Sequence, residues 1–262
     1  MGHVQTDEVL NLLQEVSEAV IEPRFRALAD SEVMEKNPGD LVTVADREAE
    51  VEITRRLTAA YPDALLVGEE AVSADSAALH AAGDADHWFT IDPVDGTRNF
   101  VHGSQDYAVM VAELRGREVV RSWIWQPEHK LAYVAERGAG AWCGDRRLEI
   151  PTRDEQNPRG RTSRRARVGT ALGDFSPLEL TWASCGIDYP KLAENACDYV
   201  LYGSVMPWDH APGSLLVAEA GGVTTYDDGA TYDPTTTRSP LLASGSQAIS
   251  ADVLSAWDGA PV

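Results

Sequence analysis

The feature that most constrains the fold is a block of three β-rich runs in the middle of the chain. The runs read YAVMVAEL, EVVRSWIW and LAYVAE, and short turn sequences separate them between residues 107 and 135. Runs of this composition joined by short turns are typical of antiparallel strands. We therefore predict an antiparallel meander here.

Helix and strand patterns lie on both sides of this block. Apolar residues recur at helical spacing from Thr6 to about Leu28, and a second helix is expected from about Asp46 to Ala60. Two buried strands, ALLVG and HWFTI, precede the meander. The later segments predict, in order, a strand, helix, strand, helix, two strands and a helix: ARVGTAL, GIDYPKLAEN, CDYVLYG, WDHAPGSLLVAEAGG, VTTY, LLAS and QAISADVLSAW. This alternation predicts a layered α+β fold, with helices over mostly antiparallel sheets.

Composition indicates a globular protein with an acidic surface. The 262 residues are 44% hydrophobic and 24% charged, and 42 acidic against 22 basic residues give a formal charge of −20. Because that charge repels a phosphate backbone, we predict no nucleic-acid partner. An acidic surface also suits a protein that holds several cations.

Cysteine usage and the N-terminal sequence predict a soluble cytoplasmic protein. The three cysteines (143, 185 and 197) are odd in number and lack C-x-x-C spacing, so a disulfide scaffold or a structural zinc site is not expected. The N-terminus has no signal-peptide pattern, and no uncharged run approaches the roughly 18 residues of a membrane span. We expect no membrane partner.

Two aspartates in IDPVDGTRNF carry the strongest chemical signal. Asp92 and Asp95 lie three positions apart where a strand pattern ends, and Gly96 follows them. Two carboxylates about 4 Å apart repel by about 4 kcal/mol at an effective dielectric constant near 20, which a proton or a cation must offset. Carboxylate oxygens suit Mg²⁺, and a helix starting at Thr97 would turn its free N–H groups towards a phosphate. Taken alone, the motif is also explained as a capped turn.

Further carboxylates stand at the ends of other elements. Glu69 and Glu70 follow the strand ALLVG, Asp209 begins an apolar helix, and Asp46 lies at the start of the second helix. Each of these, considered by itself, is explained as a surface residue or as a helix cap.

The motifs together resemble the inositol monophosphatase family of Mg²⁺-dependent, lithium-sensitive phosphomonoesterases. DLVTVAD, GEE, IDPVDGTRNF and WDHAPGSLLVAEAGG occur in the family's order between residues 40 and 222. The resemblance implies the layered α-β-α-β-α sandwich of the inositol monophosphatase and fructose-1,6-bisphosphatase type, as a single domain over residues 1–262. An N-terminal part (1–135) would carry most metal ligands, and a C-terminal part (136–262) would carry Asp209.

The same resemblance implies a set of metal ligands. Glu69, Asp92 and the main-chain carbonyl of Val94 would hold one Mg²⁺ ion. A second ion would be held by Asp92, Asp95 and Asp209. The implied cofactor is therefore two Mg²⁺ ions per subunit, and the family habit of forming homodimers predicts a homodimer here.

Catalytic and phosphate-binding roles also follow from the resemblance. Thr97, paired with Asp46, would hydrogen-bond the nucleophilic water, and Glu69 completes the predicted catalytic set. A third, looser ion would lie near Glu69 and Asp46. The N–H groups of Gly96 and Thr97, beside Asp95, would bind the phosphate.

The sequence departs from the family pattern around the substrate. Tyr202 stands seven residues before Asp209, where the family commonly carries a Glu that accepts hydrogen bonds from substrate hydroxyls. The segment 173–182 is shorter than usual, and ASCG (183–186) replaces a G-[ST]-A-A run, which puts Cys185 in a pocket-facing position. Tyr202 and Cys185 complete the predicted substrate set. A hydroxyl and an aromatic face at residue 202 predict a weak preference for inositol 1-phosphate.

Basic residues and histidines suggest further hypotheses. The arginine-rich stretch 153–167 is read either as a solvated loop or as a movable basic lid that attracts an anionic substrate. Lys36 falls where the family often has a lysine near the metal loop. The histidines, including His102 and His210, are expected to be structural or surface groups.

The sequence therefore predicts an enzyme that hydrolyses a small phosphate monoester with metal-activated water. The candidate substrates are inositol 1-phosphate or a related sugar or polyol phosphate, histidinol phosphate, fructose 1,6-bisphosphate and a 3',5'-adenosine bisphosphate. A metal-binding regulatory protein is the alternative from a different class. Phosphate release that requires Mg²⁺ would separate the two.

Overall fold

The computed structural model describes residues 5–37, 39–151 and 157–257. The α-helices of these residues are α1 (Thr6–Val16), α2 (Val44–Ala60), α3 (Glu69–Ala74), α4 (Ala77–Ala82), α5 (Thr97–Val101), α6 (Cys185–Ala193), α7 (Pro207–Glu219) and α8 (Gln247–Ala256). The strands of the first half are β1 (Val33–Asn37), β2 (Asp40–Thr43), β3 (Leu65–Gly68), β4 (His87–Asp95), β5 (Ala108–Arg115), β6 (Glu118–Gln126) and β7 (Leu131–Glu136). Those of the second half are β8 (Gly140–Cys143), β9 (Arg146–Leu148), β10 (Gly160–Thr162), β11 (Glu179–Leu180), β12 (Tyr199–Tyr202), β13 (Val223–Tyr226) and β14 (Leu241–Ser244).

A seven-stranded sheet forms the centre of the fold. Its order is β3-β4-β5-β6-β7-β8-β9, and every neighbouring pair is antiparallel except β3 and β4. The predicted meander is confirmed as β5, β6 and β7. The first seven residues of β5 are all buried, because helices cover both faces of the sheet there. The strands β8 and β9 continue this sheet past residue 136.

Helices and sheets stack in five layers. Helices α1 and α2 pack on one face of the seven-stranded sheet, and α6 and α7 pack on the other. Helix α7 also contacts β13 and β14 of a second sheet, which has the order β11-β10-β12-β14-β13, and α8 covers the far side of that sheet. The predicted α-β-α-β-α sandwich is therefore confirmed.

Capping residues fix the helices that carry site residues. The N-cap of α2 is Thr43, whose Oγ1 accepts a hydrogen bond from the N–H of Ala45 at 3.1 Å. Asp46, three residues later, accepts one from the N–H of Thr43 at 2.9 Å, which completes a capping box. Helix α7 begins with Pro207 at its first position, where a missing N–H costs no hydrogen bond. Asp209 is thereby placed in the first turn of α7.

Local predictions fail where the chain turns over short distances. The helix expected from Thr6 to about Leu28 is α1 followed by a π-helical turn (Ser17–Ile21) and a 3-10 turn (Glu22–Arg24), since Pro23 lacks the N–H that a longer α-helix needs. The prediction of a strand at ARVGTAL is wrong. Gly169 has φ +82° there and donates its N–H to the carbonyl of Leu178 at 2.8 Å, so the segment turns back on itself.

Some strands were not predicted at all. The strands that were missed are each five residues or fewer: β1 and β2 of the first hairpin, β8 and the edge strand β9, and β10 inside the arginine-rich stretch. Among the described residues, no helix has the length and apolar character needed to cross a bilayer.

Candidate metal centre and active site

The two aspartates of IDPVDGTRNF lie at the end of β4, where the strand pairing with β5 becomes irregular. Asp92 pairs with Met110 and Asp95 with Ala108, so the register shifts between them. Gly96 follows with φ +83°, and a Cβ there would lie 2.9 Å from the Cβ of Ser184. A residue with a side chain fits neither this backbone conformation nor this space. The turn therefore delivers both carboxylates and the start of α5 to one place.

Three carboxylates converge at this end of the sheet. One oxygen each of Asp92, Asp95 and Asp209 lies within 4.8 Å of the others. Asp92 Oδ1 is buried and has no hydrogen-bond partner among the described residues, so it is available as a ligand atom. Glu69 begins α3 directly after β3, the strand beside β4. Hard oxygen atoms in this number suit Mg²⁺.

Burial and mutual repulsion raise the pKa values of these carboxyls. Burial raises the pKa of Asp92 well above its ordinary value, and the charges of Glu69, Asp95 and Asp209 raise it further. Burial also raises the pKa of Asp209, with Glu69 and Asp95 adding to the shift. A bound cation would reverse both effects, because it favours the charged form of each ligand. The electrostatics are thus those of a cation site.

Asp95 is oriented by the segment ASCG. Ser184 Oγ donates a hydrogen bond to Asp95 Oδ2, to which the N–H of Gly186 also donates at 2.7 Å, and the N–H of Cys185 lies 3.1 Å from Oδ1. Burial raises the pKa of Asp95 to about 6, and these three donors oppose the rise. Cys185 contributes its main chain to this contact. Burial raises the pKa of its thiol, which therefore stays protonated and is a poor nucleophile.

Thr97 and Asp46 meet as the resemblance implies. Thr97 Oγ1 lies 3.0 Å from Asp46 Oδ1 and 3.0 Å from the carbonyl oxygen of Val94. The other oxygen of Asp46 accepts from the N–H and the hydroxyl of Thr43. Burial raises the pKa of Asp46 to about 7. The Thr97 hydroxyl thus has two acceptors within hydrogen-bond distance, which fix its position at the start of α5.

Lys36 on β1 supplies a positive charge next to Glu69. Its Nζ lies 2.8 Å from Glu69 Oε1 and 2.5 Å from Glu70 Oε1. Burial lowers the pKa of Lys36, but the two glutamates outweigh that effect and raise it overall. Lys36 therefore remains an ammonium ion beside the predicted metal ligand.

Two cavities share Asp209 and Ser204 in their walls. The larger, of about 410 Å³, is lined by Lys36, Asp40, Glu69, Val72, Ser73, Ser204, Met206, Trp208 and Asp209. The smaller, of about 180 Å³, is lined by Asp95, Ser163, Thr181, Ala183, Ser184, Cys185, Asp188, Tyr202, Ser204, Asp209 and His210. Within the described parts of the chain, Lys36 is the one lysine or arginine that lines either cavity.

Tyr202 reaches the smaller cavity from a buried position. Its ring stacks on Tyr189 with centroids 5.4 Å apart and contacts the ring of His210 at 4.7 Å. Its hydroxyl is buried and has no hydrogen-bond partner among the described residues. Tyr189 covers one face of the Tyr202 ring, and Tyr202 nevertheless lines the cavity.

His210 is a neutral wall of the same cavity. Its Nε2 lies 2.9 Å from the carbonyl oxygen of Ser204, which only accepts, so Nε2 carries the proton. Its Nδ1 then accepts from the Tyr189 hydroxyl at 2.9 Å. Burial lowers the pKa of His210 to about 4. His210 is therefore structural, whereas His102 is exposed.

Comparison with known proteins identifies the family. The sequence profile of the inositol monophosphatase family matches residues 5–257. The chain belongs to the inositol monophosphatase family. It is accordingly a metal-dependent phosphoric monoester hydrolase.

Two relatives and one solved structure illustrate the similarity. An inositol-1-monophosphatase of Rhizobium meliloti is 31% identical over 217 residues, which cover 78% of this chain and 79% of the relative. A protein of Neisseria meningitidis serogroup B named putative Nus factor SuhB is 31% identical over 204 residues, 71% of this chain and 73% of the relative. An inositol monophosphatase/NADP phosphatase solved with Mg²⁺ and phosphate superposes with a TM-score of 0.81 over 97% of this chain and 95% of that one. At 22% identity it shows the shared fold.

Several supporting residues of this inositol monophosphatase family member were missed by sequence reasoning. Asp188 Oδ1 accepts the N–H of Trp182 at 2.8 Å, and Asn99 Nδ2 donates to the carbonyls of Asp106 and Trp182 at 2.7 and 2.9 Å. Both hold the turn that orients Asp95. Asn99 stands inside the motif DGTRNF, which was a signal for its importance. Asp188 lies within a helix pattern that gave no such signal.

The described part of the arginine-rich stretch combines anchored side chains with exposed ones, and Arg159, Arg164 and Arg165 are all exposed. Arg159 pairs with Asp198 at 2.9 Å, Arg161 stacks over the ring of Trp182 at 3.8 Å, and β10 places part of the stretch in a sheet. Arg164 donates to the carbonyl of Gly203 at 2.8 Å, while Arg165 is exposed. Arg153 lies outside the described residues. The described arginines thus mainly anchor the chain.

Proposed function

We propose that this protein hydrolyses the phosphate monoester of a small polyol or sugar with Mg²⁺ as its metal. The observation that carries the proposal is the cluster of Asp92, Asp95 and Asp209 beside two cavities, whose walls contain one lysine and no arginine among the described residues. The cluster suits a divalent cation. The cavities suit a leaving group without further negative charge.

The residues present fit two Mg²⁺ ions. Glu69, Asp92 and the carbonyl of Val94 would hold one, and Asp92, Asp95 and Asp209 the other. A third ion near Glu69 and Asp46 belongs to the same proposal. Bound Mg²⁺ neutralises the carboxylates and makes hydroxide available near neutral pH by lowering the pKa of bound water.

The chain itself then orients water and phosphate. The hydroxyl of Thr97 donates to Asp46, so its oxygen accepts a hydrogen from the attacking water and holds that water in line. The N–H groups of Gly96 and Thr97, at the start of α5, bind the phosphate. Glu69 completes the catalytic set. The hydrogen bonds from Thr43 fix the position of the Asp46 carboxylate.

The cavity walls argue against bisphosphates. The second phosphate of fructose 1,6-bisphosphate or of a 3',5'-adenosine bisphosphate needs cationic partners, and in the larger cavity Lys36 is already paired with Glu69 and Glu70. The smaller cavity carries Asp95, Asp188 and Asp209 instead. Its carboxyl groups offer hydrogen-bond acceptors, which favours a second candidate, histidinol phosphate, whose ammonium group is a donor.

Tyr202 supports a modest rather than a strong preference for inositol 1-phosphate. A phenol offers one hydroxyl where a carboxylate offers two acceptor oxygens. Substrate hydroxyls therefore lose one anchoring point at residue 202. We expect Cys185, on the same wall, to contact the substrate through its main chain.

Other features of the biology stay predictions. They are the cytoplasmic location, the homodimer, the single domain over residues 1–262 and the absence of membrane and nucleic-acid partners. The relative named putative Nus factor is a reason to test nucleic-acid binding directly. It also keeps a regulatory role, beside or instead of catalysis, among the hypotheses.

A substrate panel tests the proposed function. Purified protein is assayed for phosphate release from inositol 1-phosphate, a sugar monophosphate, histidinol phosphate and both bisphosphates, with Mg²⁺ or with EDTA. We expect Mg²⁺-dependent release from the monophosphates and slower release from the bisphosphates. A bisphosphate as the best substrate would contradict the substrate class, and no release from any compound would favour the regulatory hypothesis.

A further inference from the structure

Glu50 on α2 has a buried carboxylate that accepts hydrogen bonds from the main chain of another helix, α3. Its side chain is 6% exposed and lies beneath the first turn of α3. Oε2 accepts the N–H of Glu70 at 2.7 Å, and Oε1 accepts the N–H of Ala71 at 2.8 Å. These two amides belong to the first turn of α3, where no helical carbonyl is available to them. One side chain thus caps the helix that begins with Glu69.

Gly68 makes room for this contact. A Cβ at residue 68 would lie 2.3 Å from Cδ of Glu50 and 2.5 and 2.6 Å from its two oxygens. The end of β3 and the carboxylate of α2 therefore occupy adjoining space with nothing between them. The side chain of Glu50 is held in one place by the two amides and by Gly68 together.

The surroundings of residue 50 disfavour a charged carboxylate. Burial raises the pKa of Glu50, and the charges of Glu70 and Glu69 raise it further, while the two N–H donors oppose the rise. Two adjacent N–H groups, however, need two acceptors, and a carboxylate provides both, whereas the amide of Gln provides one acceptor and adds donors. The requirement for a double acceptor explains an acid here.

The direction of α3 depends on that cap. The helix has six residues, which is too short to be stable by itself. Lys36 holds the Glu69 carboxylate from the other side at 2.8 Å. The backbone of Glu69 is thus fixed through the Glu50 cap, and its carboxylate through Lys36.

We infer that Glu50 is a positioning residue that sets the direction of the Glu69 carboxylate towards the metal centre. The inference rests on the proposed role of Glu69 as a Mg²⁺ ligand. Glu50 contacts neither metal nor substrate. Its effect on the reaction passes through the first turn of α3.

The test is Mg²⁺ binding to Glu50→Gln, measured by titration calorimetry and by the Mg²⁺ concentration that gives half-maximal phosphatase activity. Loss of a contact that orients a metal ligand weakens metal affinity by about 10-fold or more, so both measurements should shift by about that factor. With Mg²⁺ in excess, kcat should stay within about twofold of the unmodified protein, because saturating metal restores the contact with Glu69 and because Thr97 and Asp46 are untouched. Glu52→Gln is the matched control, since Glu52 lies on the same helix, is part exposed and pairs with Arg55. It should change neither measurement.

Gly68→Ala tests the same contact from the other side. The new Cβ displaces the Glu50 carboxylate, so Mg²⁺ affinity should fall as in Glu50→Gln. The double variant should be no worse than the worse single one, because both act through one interaction. If Glu50→Gln fails to fold, the Mg²⁺ affinity of Gly68→Ala tests the inference instead.

The outcomes separate the inference from the function on which it rests. Unmodified protein that binds no Mg²⁺ in the calorimeter would refute the proposed metal site. Normal Mg²⁺ affinity in folded Glu50→Gln would overturn the inference alone. Loss of folding in both variants would show that the contact serves stability, and it would also overturn the inference that Glu50 positions Glu69.

Discussion

Asp92 is the residue on which the metal centre most depends, because it belongs to both proposed Mg²⁺ sites. Its Oδ1 has no hydrogen-bond partner among the described residues, and burial among other carboxyls raises its pKa. We expect Asp92→Asn to abolish Mg²⁺-stimulated phosphate release and to leave the metal-free protein at least as stable as before, because one of several like charges is removed. Assays with a Mg²⁺ titration and thermal melts in EDTA check both parts. Undiminished turnover would refute the assignment.

Thr97 orients water rather than metal in the proposed mechanism. Thr97→Ala removes the hydroxyl that Asp46 holds at 3.0 Å, and we expect kcat to fall by about 10²-fold, which corresponds to about 3 kcal/mol. Mg²⁺ affinity should change little. Thr97→Ser keeps the hydroxyl and serves as the control. A change confined to KM would instead indicate a role in binding phosphate.

Tyr202 carries a buried hydroxyl with no partner in the described ranges, and such a group costs about 1–3 kcal/mol unless a ligand or water completes it. Tyr202→Phe keeps the stack on Tyr189 and removes that cost. We expect an unchanged or higher melting temperature for the free protein, together with a lower kcat/KM for inositol 1-phosphate. A lower melting temperature would show that the hydroxyl has a partner in the free protein. Equal kcat/KM would show that no substrate hydroxyl uses it.

At the scale of elements, sequence patterns predicted the long segments well and the short ones poorly. The meander, α2 and α7 each bury a regular apolar pattern, which local periodicity reveals. The strand β10 has three residues and exists because β11 and β12 pair with it, and no local pattern encodes that pairing.

The same reasoning explains which site residues were found. The aspartates Asp92, Asp95 and Asp209 stand in motifs at element ends, whereas Glu50 and Asp188 lie inside helix patterns and look like surface acids. Their burial and their N–H partners depend on how distant elements pack together. Sequence alone gives the residue types of a site more readily than the residues that orient it.

The arginines of residues 159–167 act as anchors of elements. Arg161 stacks over Trp182 and donates to the carbonyl of Leu180 at 2.6 Å, which ties β10 and β11 to the turn that orients Asp95. We expect Arg161→Ala to lower the melting temperature, and to lower kcat/KM by a factor that does not depend on salt. Arg165→Gln, on the exposed side, should change neither. A loss of kcat/KM that is larger at low salt, in either variant, would instead support electrostatic steering.

At the scale of the whole molecule, the fold holds buried acids that prefer to be protonated. Burial raises the pKa of Asp46 to about 7 and that of Glu50 to about 7, and it raises that of Asp95 to about 6. In the unfolded chain such groups titrate near 3.8 to 4.5. Between about pH 4 and pH 7 the folded protein thus binds more protons than the unfolded chain. Its stability is greatest below that window and falls as the pH rises through it.

His210 acts in the opposite direction, because burial lowers its pKa from 6.5 to about 4. As the pH falls through the same window, the unfolded chain takes up a proton at this residue and the folded protein does not. The free energy of unfolding therefore decreases. Burial lowers the pKa of His87 as well, but these two histidines are outnumbered by the buried carboxyls, which include Asp92, Asp188 and Asp209. The metal-free protein should therefore have a higher melting temperature at pH 5 than at pH 8.

With Mg²⁺ bound, the melting temperature should instead be higher at pH 8 than at pH 5, because Mg²⁺ binds the carboxylates only after they lose their protons. We expect excess Mg²⁺ to raise the melting temperature strongly at pH 8 and little at pH 5, since a ligand stabilises the fold by RT ln(1 + [L]/Kd), which grows as Kd falls. The measurement is a set of thermal melts at both pH values, in EDTA and in Mg²⁺, with Asp92→Asn as the variant that should lose the Mg²⁺ effect. An equal Mg²⁺ shift at the two pH values would mean that ligand protonation does not control the site. A metal-free protein that is more stable at pH 8 would contradict the raised pKa values themselves.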